Sequence, residues 1–297
     1  VDVAVIEVGL GGRLDSTNVV TPFVSVITSI SLDHMSVLGD TLEAIAAEKG
    51  GIIKPGVPVV VAQQAPAAQR TLAAIADERQ SPLHDVPDRV QVSVLSDDLA
   101  GQQLRLIGYG RDIEATLALL GPHQRENAAA AFAALCVASE AGLNMPDEAI
   151  QAGFQSVVWP GRFEVVSADP PVVLDGAHNR HSAHRLAQSL DHYFPGRPRI
   201  YLFGASADKD VTGMFAELLR DAELLVAVQS SHPRAIATAE LARRAAPADI
   251  TVIEAEDIPA ALDDALARAK AQHAVLVATG SLYALGEMRA AWFARQG

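Results

Sequence analysis

The sequence predicts an α/β protein of two domains, the first a parallel sheet with a small antiparallel meander, the second a doubly wound sheet. Two observations carry this. Short β-rich runs alternate with helical stretches in both halves of the chain, the pattern of parallel strands joined by crossover helices. That pattern breaks once, between about 90 and 120, where apolar residues recur at period two. With 297 residues the chain is long enough to bury two separate cores.

Taken in order, "VAVIEV" (3–8) predicts a buried strand ending near Glu7, with glycines following at 9, 11 and 12. "VSVITSI" and "VPVVVA" predict two further strands, and "TLEAIAAEKGGIIKPG" between them predicts a helix ending at Gly50-Gly51. "VQVSVL", "QLRLIGYG" and "IEATLALL" form the meander, and "HQRENAAAAFAALCVASEAG" and "PDEAIQAGFQSV" are helices of high propensity. After "WPGRFEVV" five strands are predicted, in "PPVVLD", "PRIYLFG", "AELLVAVQ", "ADITVIE" and "HAVLVATG". Amphipathic helices such as "SAHRLAQSLDHYF", "TAELARRAA" and "IPAALDDALARAKA" lie between them. The predicted domains are 1–158 and 159–297, with the Pro160-Gly161 pair as hinge.

Hydrophobic residues make up 49% of the chain and charged ones 20%, a soluble globular composition. A formal charge of −13 argues against broad nucleic-acid binding but leaves room for an anionic substrate in a local basic pocket. The single Cys136 cannot make an internal disulfide, which predicts a reducing, cytoplasmic setting. No apolar run approaches membrane-spanning length, so no membrane role is expected.

Ligands of open parallel sheets bind where strands end. Glu7, Asp33 and His34, Asp175 with "GAHN", and Thr279-Gly280-Ser281 all fall at such ends. Glu7 reads either as a solvated strand end or partner of Arg13, or as a metal ligand; His34 reads either as a hydrogen-bonded structural histidine or as a ligand. A carboxylate and an imidazole on neighbouring strand tips would suit Mg²⁺, which keeps waters and takes few protein ligands. Lys49, at a helix end, suits the helix dipole on physical grounds alone. "GLGG" is not a dinucleotide fingerprint: the third glycine position holds Leu14, and "DSTNVVTP" opens no helix for a pyrophosphate.

Eight segments in order, "EVGLGGRLDSTNVV", "SLDHMSVLG", "AAEKGGIIKPGVPVV", "GPHQRENAAAA", "WPGRFE", "LDGAHN", "FGASADKD" and "ATGSLY", resemble the folylpolyglutamate synthase/dihydrofolate synthase family of the Mur-ligase superfamily. The resemblance runs nearly the whole chain. It implies a Mur-ligase central ATPase domain binding ATP and folate, followed by a Rossmann-like glutamate-ligase domain. It implies Glu7 and His34 as Mg²⁺ ligands, and Lys49 as a carbamylated lysine that orients magnesium water. Asn127 would contact adenine, Arg162 the ATP phosphates and Asp175 the ribose. His178 would lie near the γ-phosphate and incoming glutamate, and Ser281 in the glutamate pocket, with Lys209 a further carry-over. The implied reaction joins L-glutamate to folate, or to dihydropteroate, through an acyl phosphate made with ATP. The family is usually monomeric.

The family's glycine-rich P-loop has no counterpart here: G-x-x-x-x-G-K-[ST] does not occur in these 297 residues. With the absence of an initiator Met, this predicts a truncated copy of a full enzyme, with its first domain incomplete at the N-terminus. The competing readings are a non-catalytic nucleotide-binding remnant and another Mur-type ligase. A sheet lacking its first strands would expose an edge, which self-association or a partner would shield.

Overall fold

A computed structural model describes residues 1–295. The chain divides into two compact units, residues 1–118 with 123–157 and residues 119–122 with 158–297.

The first unit holds a parallel sheet of β1 (Ser25–Ile27), β2 (Val59–Val61) and β3 (Leu83–Asp85), in that order. α1 (Met35–Leu38), α2 (Leu42–Gly50), α3 (Pro66–Glu78) and α4 (Val86–Arg89) connect and cover it. β4 (Gln91–Asp98), β5 (Gly101–Gly108) and β6 (Arg111–Leu117) form the antiparallel meander, and α5 (His123–Glu140) and α6 (Asp147–Ser156) follow. β2 shows why its sequence is an unbroken valine run. Val59 and Val61 pack with Ile27, Ile45 and Leu72, while Val60 packs with Leu106, Ile113 and Phe132 on the opposite face. Side chains alternate across a strand, so a strand covered on both faces is apolar at every position.

The strand predicted over 3–8 does not form. Residues 1–8 join no ladder, and Val3, Val5 and Ile6 are exposed. β-propensity becomes a strand only beside a neighbour that takes up the backbone N–H and C=O groups, and β1 pairs with β2 alone. One short 3₁₀ turn over Ser16–Val19 stands where no helix was expected.

The second unit is a six-stranded sheet of β7 (Glu164–Ala168), β8 (Pro171–Leu174), β9 (Arg199–Phe203), β10 (Ala222–Ala227), β11 (Thr251–Glu254) and β12 (Val275–Thr279). Its order is β11-β10-β9-β12-β8-β7, parallel throughout except for β7, a strand the sequence did not signal. α7 (Arg180–Tyr193), α8 (Val211–Leu218) and α9 (Thr238–Ala245) cover one face through Leu186, Met214 and Leu241. α10 (Ile258–Gln272) and α11 (Leu282–Ala294) cover the other through Leu262, Met288 and Trp292. Because β12 lies between β8 and β9 but leads to the opposite helical layer, the loops leaving these three strands part company there, the position at which open α/β sheets take their ligands. Among the described residues no helix is long and apolar enough to cross a membrane.

Candidate functional site

In the first unit the "GLGGRLDSTN" loop is built around Asp15. Its Oδ2 accepts from the amides of Gly9 and Leu10, both at 3.0 Å, and its Oδ1 from the Thr17 amide (2.9 Å) and hydroxyl (2.6 Å). Those donors, the Thr17 hydroxyl foremost, hold the carboxyl down at about 2. The loop is then tied to α2: the Arg13 amide donates to the Glu48 carbonyl (2.8 Å), and the Arg13 guanidinium pairs with the Glu48 carboxylate (2.8 Å). Arg13 is thus the partner of Glu48, not of Glu7. Gly12 allows this approach, since a Cβ there would stand 2.9 Å from the Glu48 carbonyl oxygen and 3.1 Å from that of Lys49.

The loop, the segment after β1 and the end of α2 together enclose a cavity of about 230 Å³ lined by Gly9, Leu10, Ser29, Ser31, Asp33, His34 and Lys49. The expected His34 and Lys49 therefore meet at one cavity. His34 caps α1 with φ 51°, a left-handed backbone uncommon for a non-glycine residue, and its amide donates to Asp33 Oδ1 at 2.8 Å. Glu7 is exposed and precedes Val8, which lines the cavity. The described residues hold no cluster of three or more His, Cys, Asp or Glu poised for a metal. Oxygen donors Asp33, Ser29 and Ser31 beside His34 fit a hard cation that retains most of its water. Asp33 was among the strand-end residues singled out from the sequence, whereas Ser29 and Ser31 were not; their position in the segment after a parallel strand was the available signal. Asn127 is exposed on α5, its amide donating to Gln124 Oε1 at 2.9 Å.

In the second unit, Arg162 lies just before β7, Asp175 and His178 follow β8, and Ser281 follows β12. Asp175 follows β8 and accepts from the Phe163 amide (2.9 Å) and the Ala177 amide (2.8 Å). It keeps a small accessible edge, yet desolvation dominates and pushes its pKa up to about 6, against those two hydrogen bonds and the nearby Arg162 and His178. The Arg162 guanidinium crosses Gly176 so closely that a Cβ there would lie 2.9 Å from one of its nitrogens. His178 Nδ1 is 2.9 Å from the Gly176 carbonyl. A carbonyl only accepts, so Nδ1 carries the hydrogen and Nε2 is the acceptor nitrogen of the neutral ring. An Asn179–Ser182 capping box fixes the start of α7 directly after His178. Ser281 caps α11, accepting from the Ala284 amide at 3.1 Å. The Lys209 side chain is mostly buried beside Asp208, 3.9 Å away. Thr279, at the tip of β12, is wholly buried with its hydroxyl unpaired.

The Asp175 shift has a measurable consequence. Its folded-state pKa lies above the unfolded value of 3.8, so the native state holds the extra proton between about 4 and 6 and loses stability as pH rises through that window. In urea unfolding across pH 4 to 7, the wild-type protein should lose up to about 3 kcal/mol relative to Asp175→Asn. Parallel curves for the two proteins would refute the shift.

Residues 1–135 match the Mur ligase middle domain and residues 161–281 the Mur ligase glutamate ligase domain. The dihydrofolate synthase/folylpolyglutamate synthase of Bacillus subtilis (strain 168) is 35% identical over 97% of this chain and 67% of its own length. The chain belongs to the dihydrofolate synthase/folylpolyglutamate synthase family. The family's members are ATP-dependent ligases of Mur type. A structure described as Mycobacterium tuberculosis folylpolyglutamate synthase complexed with ADP and AMPPCP superposes with a TM-score of 0.87 at 36% identity, covering 98% of this chain and 68% of that one. One described as E. coli FolC in complex with DHPP and ADP superposes with a TM-score of 0.86 at 30% identity, covering 98% and 66%. The chain spans a smaller share, 35%, of a probable bifunctional folylpolyglutamate synthase/dihydropteroate synthase from Halobacterium salinarum. The fold of the dihydrofolate synthase/folylpolyglutamate synthase family thus accounts for the parallel sheet, the meander and the second α/β unit alike.

Proposed function

We propose that this chain carries the ATP-dependent ligation of L-glutamate to a folate, to dihydropteroate, or to both, through an acyl phosphate. What supports this above all is the likeness to the M. tuberculosis enzyme complexed with ADP and AMPPCP, which extends over 98% of the chain. A carboxylate is a poor electrophile at neutral pH. Phosphorylation by ATP gives it a leaving group, and the amine of glutamate then displaces phosphate to form the amide.

Each residue has a part in this reading. His34, with Asp33 beside it, would hold Mg²⁺ at the first unit's cavity, and Glu7, one residue before the lining Val8, would complete the ligand set from outside the lining. Magnesium, when bound, neutralises charge on the transferred phosphoryl group. Lys49, as a carbamate, presents an anion to that cavity, and Asn127 meets the adenine. Arg162 presents its guanidinium to the phosphates, and Asp175 meets the ribose. His178 presents Nε2, the acceptor nitrogen, to the protonated amine of glutamate near the γ-phosphate. Ser281 lies on the glutamate side.

The test is ADP release by the chain with Mg²⁺-ATP, run with a folate plus glutamate and with dihydropteroate plus glutamate, beside a nucleotide titration. ADP release that requires both acid and amino acid is the expected result. Nucleotide binding without release would identify a non-catalytic binding module instead.

A further inference from the structure

The turn that carries Arg162 is held from both sides. On one side, Glu164 Oε2 accepts from the Gly161 amide at 2.8 Å; on the other, Asp175 Oδ2 accepts from the Phe163 amide at 2.9 Å. The Gly161 carbonyl also receives the Gly176 amide at 2.8 Å, and Gly161 itself has φ +74°. The residues flanking Arg162 thus have every peptide N–H engaged by a carboxylate.

Glu164 is in turn set by a residue 125 positions away. Arg289 of α11 places Nε 3.2 and 2.9 Å from its two oxygens and Nη2 2.9 Å from Oε1. The Arg289 guanidinium lies over the Phe293 ring, 4.6 Å from its centroid. Burial disfavours the Glu164 carboxylate, yet Arg289 and the Gly161 amide outweigh that and hold its pKa below the usual range. A fork contact of this kind fixes the carboxylate plane as well as its charge.

We propose that Glu164 and Arg289 are positioning residues for Arg162: Arg289 orients the Glu164 carboxylate, which holds the Gly161 amide and so aims the Arg162 side chain. This rests on the reading that Arg162 meets the phosphates of ATP. An ordinary exposed ion pair would add little to stability and have no bearing on Arg162. The two roles separate in a double-mutant cycle, because residues acting through one group lose their effect once that group is gone.

Turnover would be measured for Arg162→Ala, Glu164→Ala and the double variant, with amide exchange at Gly161 and Phe163 followed by NMR. Glu164→Ala should lower kcat about tenfold or more, leave the KM for glutamate within about twofold, and cost under about twofold on the Arg162→Ala background. Exchange at Gly161 should rise at least about tenfold. Arg289→Ala should give a smaller loss in the same direction, largely rescued in Arg289→Lys, and serves in place of Glu164→Ala if that variant does not fold. Equal losses from Glu164→Ala in both backgrounds, or unchanged Gly161 exchange, would overturn the proposal. Should Arg162→Ala itself cost nothing, the phosphate reading of Arg162 falls first, an outcome distinct from additive losses.

Discussion

Arg162→Ala is expected to lower turnover about a thousandfold while the melting temperature moves by no more than about 2 °C. Phosphoryl transfer spreads charge over the equatorial oxygens, and a guanidinium placed there is worth about 10³-fold or more in other phosphoryl-transfer enzymes. The structure gives Arg162 little to do for folding. It is partly exposed at a turn, outside both apolar clusters of its unit, and its neighbours on either side are held through their own peptide groups. Arg162→Lys should recover only part of the loss, because an ammonium keeps the charge without the planar fork. Stopped-flow or coupled ADP release against a thermal melt separates the two quantities. A variant that melts with wild type and turns over with wild type would remove Arg162 from the reaction.

Gly280→Ala is expected to cost about 3–4 kcal/mol in the unit it belongs to, a fall of roughly 10 °C in its melting transition. Gly280 sits between β12 and α11 with φ +117°, a backbone state that L side chains rarely adopt. A Cβ there would stand 2.4 Å from the Gly204 carbonyl oxygen and 2.9 Å from the Phe203 ring. Neither can retreat easily, because the Gly204 amide is bonded to the Thr279 carbonyl at 3.2 Å and Phe203 is fully buried. The strain would fall on the loop that leads into Ser281, the cap of α11. Calorimetry of the variant showing an unshifted transition would contradict the close approach.

Most of the second unit was legible, since its five apolar strands and three amphipathic helices carry the required periods. What escaped was mostly short or interrupted, apart from the 13-residue α3, for which no helix was expected from the sequence. β3 is three residues, Leu-His-Asp, with no apolar alternation, and α8 carries a threonine and a glycine in its first turn. β7 is partly exposed and antiparallel, so it lacks the continuous hydrophobic run of its neighbours. The run at 3–8 failed the other way, because its composition satisfied the strand pattern but pairing is a non-local property. The site was legible only through spaced motifs. His34 and Lys49 converge on one cavity, whereas nothing local in the sequence tells that Arg13 seeks Glu48 or that Arg289 reaches Glu164.

The Asp15 hub makes the glycine loop insensitive to mild acid. Its contribution is complete above the ordinary aspartate pKa and disappears only as pH falls through about 2. Mild acid thus leaves the anchoring of that loop intact, whereas burial pushes Asp175 up to about 6, so of these two carboxyls Asp175 is protonated first as pH falls.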